Sequence, residues 1–383
     1  MELEFFSISI FLITFLLFVF MVLKIVKRSK TNEEKSLNLP PGPWKLPIIG
    51  NLHQLTSSLV HRQLRDMSKK YGPLMHLQLG ELSTVVVSSA KFAEQVMKTH
   101  DVIFASRPVL LSTKILDYDS TSISFSPYGS YWRQLRKICV QELLTMKRVQ
   151  SFRSIREEEV SSLIASISSK AGSPVNLTEN FRSLIYGITS RAAFGKKSKD
   201  IEVFISAFME ALSLSAGFNI ADLYPSIELL QWITGIKSQL MRIHRTMDKI
   251  LEDIVKEHKS KIGEISDDEN EDLVDVLLKV QKRGDLEVPL TADNVKAVIL
   301  DVWIAGGETS ATTLDWAMRI CPGISYGLAN VELPLAMLLY HFDWKLPNEM
   351  KSEDLDMTEA AGLAVRRKDE LCVIPIPYRP SSI

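Results

Sequence analysis

Three short stretches of this 383-residue chain hold residue types that do chemistry. Ala305-Gly306-Gly307-Glu308-Thr309 sets a carboxylate and a hydroxyl beside two adjacent glycines, in a run where Val295, Val298, Ile299, Val302 and Trp303 recur at helical spacing. Each glycine lies about 1 kcal/mol above alanine in a helix interior, so the pair needs a reason. A local widening, where a small ligand meets the backbone, would supply one. In Arg319-Ile320-Cys321-Pro322-Gly323 the proline and glycine favour a tight turn that points backbone N–H groups at the sulfur. A thiolate so surrounded is a good metal ligand. Trp132 and Arg136 lie four apart, so a helix puts the indole N–H and the guanidinium on one face, suited to carboxylates. Each stretch also has a plainer reading: a kink in a core helix, a buried free cysteine, a salt-bridged surface helix.

The rest of the chain must position these groups. Hydrophobic residues at 46% allow a sizeable core, and a net charge of -1 gives no reason to expect nucleic acid as a partner. Cys139, Cys321 and Cys372 are too far apart for a C-x-x-C zinc site and fit a reducing, cytosol-facing compartment. Phe5 to Leu23 is uncharged and apolar, long enough to span about 30 Å of hydrocarbon, so residues 1–30 read as one transmembrane anchor with a basic flank. Lys24, Lys27, Arg28 and Lys30 follow it and Glu2 and Glu4 precede it, which leaves the bulk of the chain in the cytosol. A cleaved signal peptide would want a basic start and a small-residue cleavage site, neither of which is present.

Residues 31–47, around Leu39-Pro40-Pro41-Gly42-Pro43, form a stiff extended link. Beyond it, Leu59 to Tyr71 is amphipathic, and Leu74 to Leu79 with Thr84 to Val87 reads as a hairpin around Gly80-Glu81. Ala90 to Thr99 reads as a helix with Phe92, Ala93, Val96 and Met97 on one face. Val149 to Leu278 is a series of helical stretches broken at Gly172-Ser173-Pro174, Gly195, Tyr224-Pro225 and Gly263. Thr291 is placed to cap a central helix that runs through Thr309. A second apolar helix over Leu328 to Phe342 contains Pro334, and strands close the chain near Trp344 and Leu371 to Pro377. The class is mainly α with small β-sheets.

The motifs together resemble the cytochrome P-450 superfamily, the haem-thiolate monooxygenases, and in overall wording its plant microsomal terpenoid members, of the premnaspirodiene type. The resemblance implies a haem cofactor with Cys321 as axial ligand, favouring O–O cleavage. It places Trp132, Arg136 and Arg319 on the propionates, Ala305 and Gly306 at the oxygen side, and Thr309 and Glu308 in proton delivery. It also implies dioxygen, a lipophilic substrate, hydroxylation of a sesquiterpenoid, and a separate NADPH-dependent flavoprotein reductase at the endoplasmic reticulum membrane. No GxGxxG fingerprint or flavin domain is present.

The family pattern is incomplete in residues 48–383. On the order of a hundred residues expected between Met318 and Arg319, including an E-x-x-R helix and a P-E-R-F-like segment, have no counterpart, far more than loop variation. Thr309 and Cys321, expected on opposite faces of the haem, are therefore only twelve residues apart. As helix this carries Cys321 about 18 Å along the axis. Fully extended it reaches about 40 Å, enough to pass the ring edge. Two functions follow: a membrane-anchored monooxygenase, or a shortened, non-catalytic splice or gene-model product that keeps the anchor and part of the ligand shell. The shortened chain would also leave the Leu74 to Val87 hairpin with exposed edges.

Overall fold

The computed structural model describes residue 15 and residues 38–57, 59–196, 200–215, 219–261, 271–316, 324–351, 355–360 and 365–378, with the side chains of 315–316 and 324–329 left aside. Apart from Phe15, the apolar segment from Phe5 to Leu23 lies outside these residues, as do its basic flank, the start of the hinge, Arg319 and Cys321. Among the described residues no helix is long and apolar enough to cross a membrane. The chain divides into two compact units, residues 1–101 with 220–230, and residues 102–219 with 231–383.

In the first unit, α1 (Val60–Tyr71) ends at Gly72 and leads into the antiparallel hairpin of β1 (Leu74–Leu79) and β2 (Leu82–Val87). The two-residue loop depends on Gly80, whose φ of 60° suits a first hairpin-turn position. A Cβ there would also stand 2.6 Å from the Leu223 carbonyl oxygen. Met75, Leu77 and Leu79 alternate onto the buried face and pack with Leu64, Met67, Tyr71 and Leu223. β2 begins two residues earlier than expected because Leu82 pairs with Leu79 directly across the turn. The helix α2 (Ala90–Glu94) passes into a π-turn at Gln95–Thr99. Wider winding shifts the phase of the face, and Met97, expected beside Phe92, is exposed.

The second unit is built around a helix pair. The polypeptide passes through α3 (Leu111–Leu116), α4 (Ser130–Ile138), α5 (Arg153–Ser169), β3 (Val175–Asn176), α6 (Leu177–Phe194), α7 (Ile201–Ser215), α8 (Ile236–Lys261), α9 (Leu273–Arg283) and α10 (Ala292–Trp316). It ends in α11 (Ile324–His341), β4 (Phe342–Lys345), the short pair β5 (Glu359–Ala360) and β6 (Arg366–Arg367), and β7 (Cys372–Pro377). Thr291 caps α10: its hydroxyl accepts from the Asn294 N–H at 3.1 Å, while Asn294 Oδ1 accepts from the Thr291 N–H at 2.9 Å. α10 packs along α6, and the fully buried Trp303 is boxed by Tyr186, Phe204 and Phe208, with ring centroids 4.8, 4.8 and 5.8 Å away. β7 lies between β3 and β4, and Phe342 and Val373 join a second core with Phe181, Ile185, Leu314 and Leu338. Gly195 ends α6 in a left-handed conformation, and a turn at Gly172 to Pro174 precedes β3 as the sequence indicates.

Candidate functional site

The expected site residues that are described all lie in the second unit, on α4 and α10. On α4 the Arg136 guanidinium sits over the Trp132 ring, 5.5 Å from its centroid, so the predicted shared face exists. The indole N–H is already used: it donates to the Ile123 carbonyl at 3.0 Å. Arg136 is exposed, and among the described residues no carboxylate lies within ion-pair distance of it. The next residue after Ile123 joins this helix to the central one, because the Ser124 N–H donates to Asp301 Oδ2 at 2.8 Å. Asp301 is one turn before Ala305, which is one turn before Thr309, and Ala305 and Thr309 are both exposed. The loop carrying Ile123 and Ser124 therefore ties Trp132 to the start of that open face.

Within the motif, neighbouring residues take different sides. The Thr309 hydroxyl donates to the Ala305 carbonyl at 2.6 Å, which leaves its oxygen lone pairs facing outward as acceptors. Glu308 is buried on another side, where Tyr186 Oη donates to its Oε2 at 3.2 Å and Arg366 Nε lies 3.7 Å from its Oε1. The helix is α-helical throughout Ala292–Trp316, so the expected widening at the two glycines does not occur. Gly307 has a packing reason instead: a Cβ there would stand 2.4 Å from Tyr186 Cε1. Gly306, on the neighbouring side, is half-buried.

Several charged groups near this face carry no motif in the sequence. Burial pushes the Asp117 carboxyl up to about 7, with the charge of Asp301 adding to it against the hydrogen bond from Ser122. Burial likewise raises Asp301 itself. Asp301 could have been noticed as the one charged residue between Lys296 and Glu308 in an apolar helix. Tyr186 and Arg366 left no local signal, since both meet Glu308 only through the fold. The folded Asp117 pKa lies above its ordinary value of 3.8, so its burial subtracts stability as pH rises from about 4 to about 7 and is constant above that. Asp117→Asn is therefore expected to stabilise the protein by on the order of 2 kcal/mol at pH 8 and by almost nothing at pH 4, read from urea midpoints at the two pH values.

A haem presents two carboxylates, a flat apolar ring and an iron that takes a thiolate. The exposed Arg136 suits a carboxylate, and the small side chain of Ala305 with Thr309 leaves a shelf a flat ring can approach. Two free thiols are described, Cys139 and Cys372. Cys139 is buried, and its pKa is pushed up to about 12 by burial and then by Asp301, which keeps it protonated. Cys372 lies on β7 opposite Asn176. Cys321, the ligand that the family resemblance implies, lies outside the described residues.

Comparison with known proteins places the chain in a family. The cytochrome P-450 family model matches residues 40–318. Cytochrome P-450 71D11 of Lotus japonicus is 42% identical over 485 positions, covering 94% of this chain and 99% of that protein. Premnaspirodiene oxygenase of Hyoscyamus muticus is 38% identical over 508 positions, covering 99% of each. A zebrafish cytochrome P-450 solved with abiraterone superposes with a TM-score of 0.67 at 16% identity, over 84% of this chain and 100% of that one, a likeness of fold alone. The class is the haem-thiolate monooxygenases, oxidoreductases with haem as cofactor that take dioxygen and electrons from a redox partner. The chain belongs to the cytochrome P-450 family, alongside plant members. The alignment to the Lotus japonicus protein, at 485 positions, is longer than the 383 residues of this chain, so that relative carries residues with no counterpart here.

Proposed function

We propose that this chain is a membrane-anchored monooxygenase acting on an apolar small molecule, a sesquiterpenoid, at the cytosolic face of the endoplasmic reticulum. Electrons come from a separate NADPH-dependent flavoprotein reductase. The observation that carries this reading is the open face of α10, where Ala305 and Thr309 stand exposed one turn apart while Trp303, Gly307, Glu308 and Ser310 around them are buried. Haem supplies the iron at which dioxygen is activated for insertion into a C–H bond. Cys321 ligates that iron, and Arg136, Trp132 and Arg319 hold the propionates, Arg136 as the exposed charge and Trp132 by fixing the loop beside it. Ala305 and Gly306 allow close approach to the helix. Thr309 orders water through its outward lone pairs, and Glu308, held by Tyr186, is the neighbouring proton-exchanging group. The resemblance to premnaspirodiene oxygenase supports the substrate class.

A specific observation favours the second reading, a shortened and non-catalytic chain. α10 stays helical through Trp316, so the sulfur is carried about 10 Å past Thr309 along the axis before the five remaining residues, at most about 17 Å long, can turn back. The carbon monoxide difference spectrum of the reduced, purified chain separates the two. The monooxygenase reading expects a thiolate-type band that Cys321→Ser abolishes. Absence of haem uptake by the wild-type chain sinks it and leaves the non-catalytic reading.

A further inference from the structure

The hairpin of the first unit has two outer edges, and they are finished differently. Along β1 three outward groups are met by the chain: the His76 N–H donates to the Pro41 carbonyl at 2.9 Å, the Gln78 N–H to Asn51 Oδ1 at 2.8 Å, and the Asn51 N–H to the Gln78 carbonyl at 2.6 Å. His76 and Gln78, with Leu74 in the same alternation, are thus residues of β1 whose backbone groups point away from the partner strand. Their partners across the hairpin, Val85 and Ser83, and Val87 opposite Leu74, must point outward on the other side. Among the described residues nothing pairs with these outward groups of β2.

The strand Leu82-Ser83-Thr84-Val85-Val86-Val87 also lacks the features that protect an edge. It holds no charge, no proline and no bulge, it is rich in β-branched residues, and Val85 is 48% exposed. A row of unpaired N–H and C=O groups at strand spacing is complementary to one kind of partner, another strand. The same six residues are complementary to themselves. With Val85 on a two-fold axis, Ser83 of each copy faces Val87 of the other, all three outward residues of each strand find bonding partners, and no like charges meet.

We propose that β2 pairs antiparallel with β2 of a second copy of this chain, giving a dimer in which Val85 faces Val85 across the two-fold axis. The pairing closes at two because it uses the same edge of both copies, and the other edge of the hairpin is met by Pro41 and Asn51. A chain with both edges open would extend into a fibre instead.

The test uses the full chain in detergent micelles, with protein mass measured by light scattering over a hundredfold range of concentration. The expected result is a shift from one to two protomers, and slowed amide exchange at Ser83, Val85 and Val87 at the high end. Val85→Pro removes an outward N–H without breaking a bond inside the hairpin, and is expected to weaken association at least tenfold. Val85→Lys, which keeps the backbone donor and charges the edge, is expected to do the same and serves if the proline variant fails to fold. Val85→Thr is expected to dimerise like the wild type. A wild-type chain monomeric throughout, a dimer unchanged in Val85→Lys, mass growing without limit, or protection absent from these three amides would each overturn the proposal.

Discussion

Trp303→Ala is expected to lower the free energy of unfolding by about 4 kcal/mol, since Trp303 is the bulkiest fully buried side chain among the described residues. The indole is completely buried where α10 meets α6 and α7, and three aromatic rings stand around it. No small rearrangement fills that space, because Tyr186 is held at its far end by Glu308 and at its ring face by Gly307. The indole N–H also donates to Ser190 Oγ at 2.9 Å, so truncation removes the donor from a buried hydroxyl. Trp303→Phe separates the two contributions. It keeps most of the packed volume and loses the hydrogen bond, and a loss of about 1.5 kcal/mol is expected. Urea titration with an unchanged m-value would show both effects as shifts of midpoint. A Trp303→Ala loss below 1 kcal/mol would mean that this junction is not part of the cooperative core. Against a typical total of about 5–15 kcal/mol, the expected loss is large enough to reduce the folded population at growth temperature.

The same junction shows where reading the sequence succeeds and where it stops. Local chemistry was legible: a two-residue turn at Gly80-Glu81, a cap at Thr291, a helix end at Gly195, and Trp132 with Arg136 on one face all follow from residues within a few positions of one another. What required the fold was the reason for each motif residue. The glycines of α10 invited a ligand as explanation, yet Gly307 is small because a tyrosine 121 residues earlier lies against it. Glu308 likewise found Tyr186 and Arg366, and Trp132 spent its N–H on the backbone of Ile123. Periodicity also assumes one helical pitch, so the π-turn that rotates Met97 outward was invisible to it. A motif therefore marks candidate residues, while long-range contacts decide which way each side chain faces.

Lys296→Met is expected to destabilise the protein by about 3 kcal/mol at pH 7, and the loss should shrink as pH falls below 3.8. Lys296 is a buried ammonium on α10, bonded to Asp248 at 2.5 Å and lying 3.0 Å from Asp293 and 3.4 Å from Glu252. Desolvation works against its charge, but the carboxylates outweigh that and hold its pKa above the ordinary value. In return Asp248 is lowered, with the Lys296 and Tyr118 hydrogen bonds overcoming its own burial. A lowered carboxylate contributes stability that is present above its unfolded pKa of 3.8 and lost as pH falls through the folded one, which fixes the sign of the pH dependence. Methionine keeps the aliphatic stem and removes only the charge, so the effect reports electrostatics and not a cavity. The consequence for the site comes through Tyr118, whose hydroxyl donates to Asp248 at 2.8 Å and whose ring lies 4.9 Å from the Lys296 Nζ. Tyr118, Asp119 and Ser120 all have positive φ, at 49°, 64° and 59°, a run that costs on the order of 1 kcal/mol per residue. The strained turn persists because its ends are pinned, by Asp248 on one side and by the Ser124 to Asp301 hydrogen bond on the other. Removing the ammonium releases the first pin, so amide exchange at Thr121 and Ser124 should quicken at least tenfold in Lys296→Met while the α6 amides follow only the global loss. Equal acceleration everywhere would show that Lys296 supports the fold as a whole and has no particular hold on the loop beside Trp132.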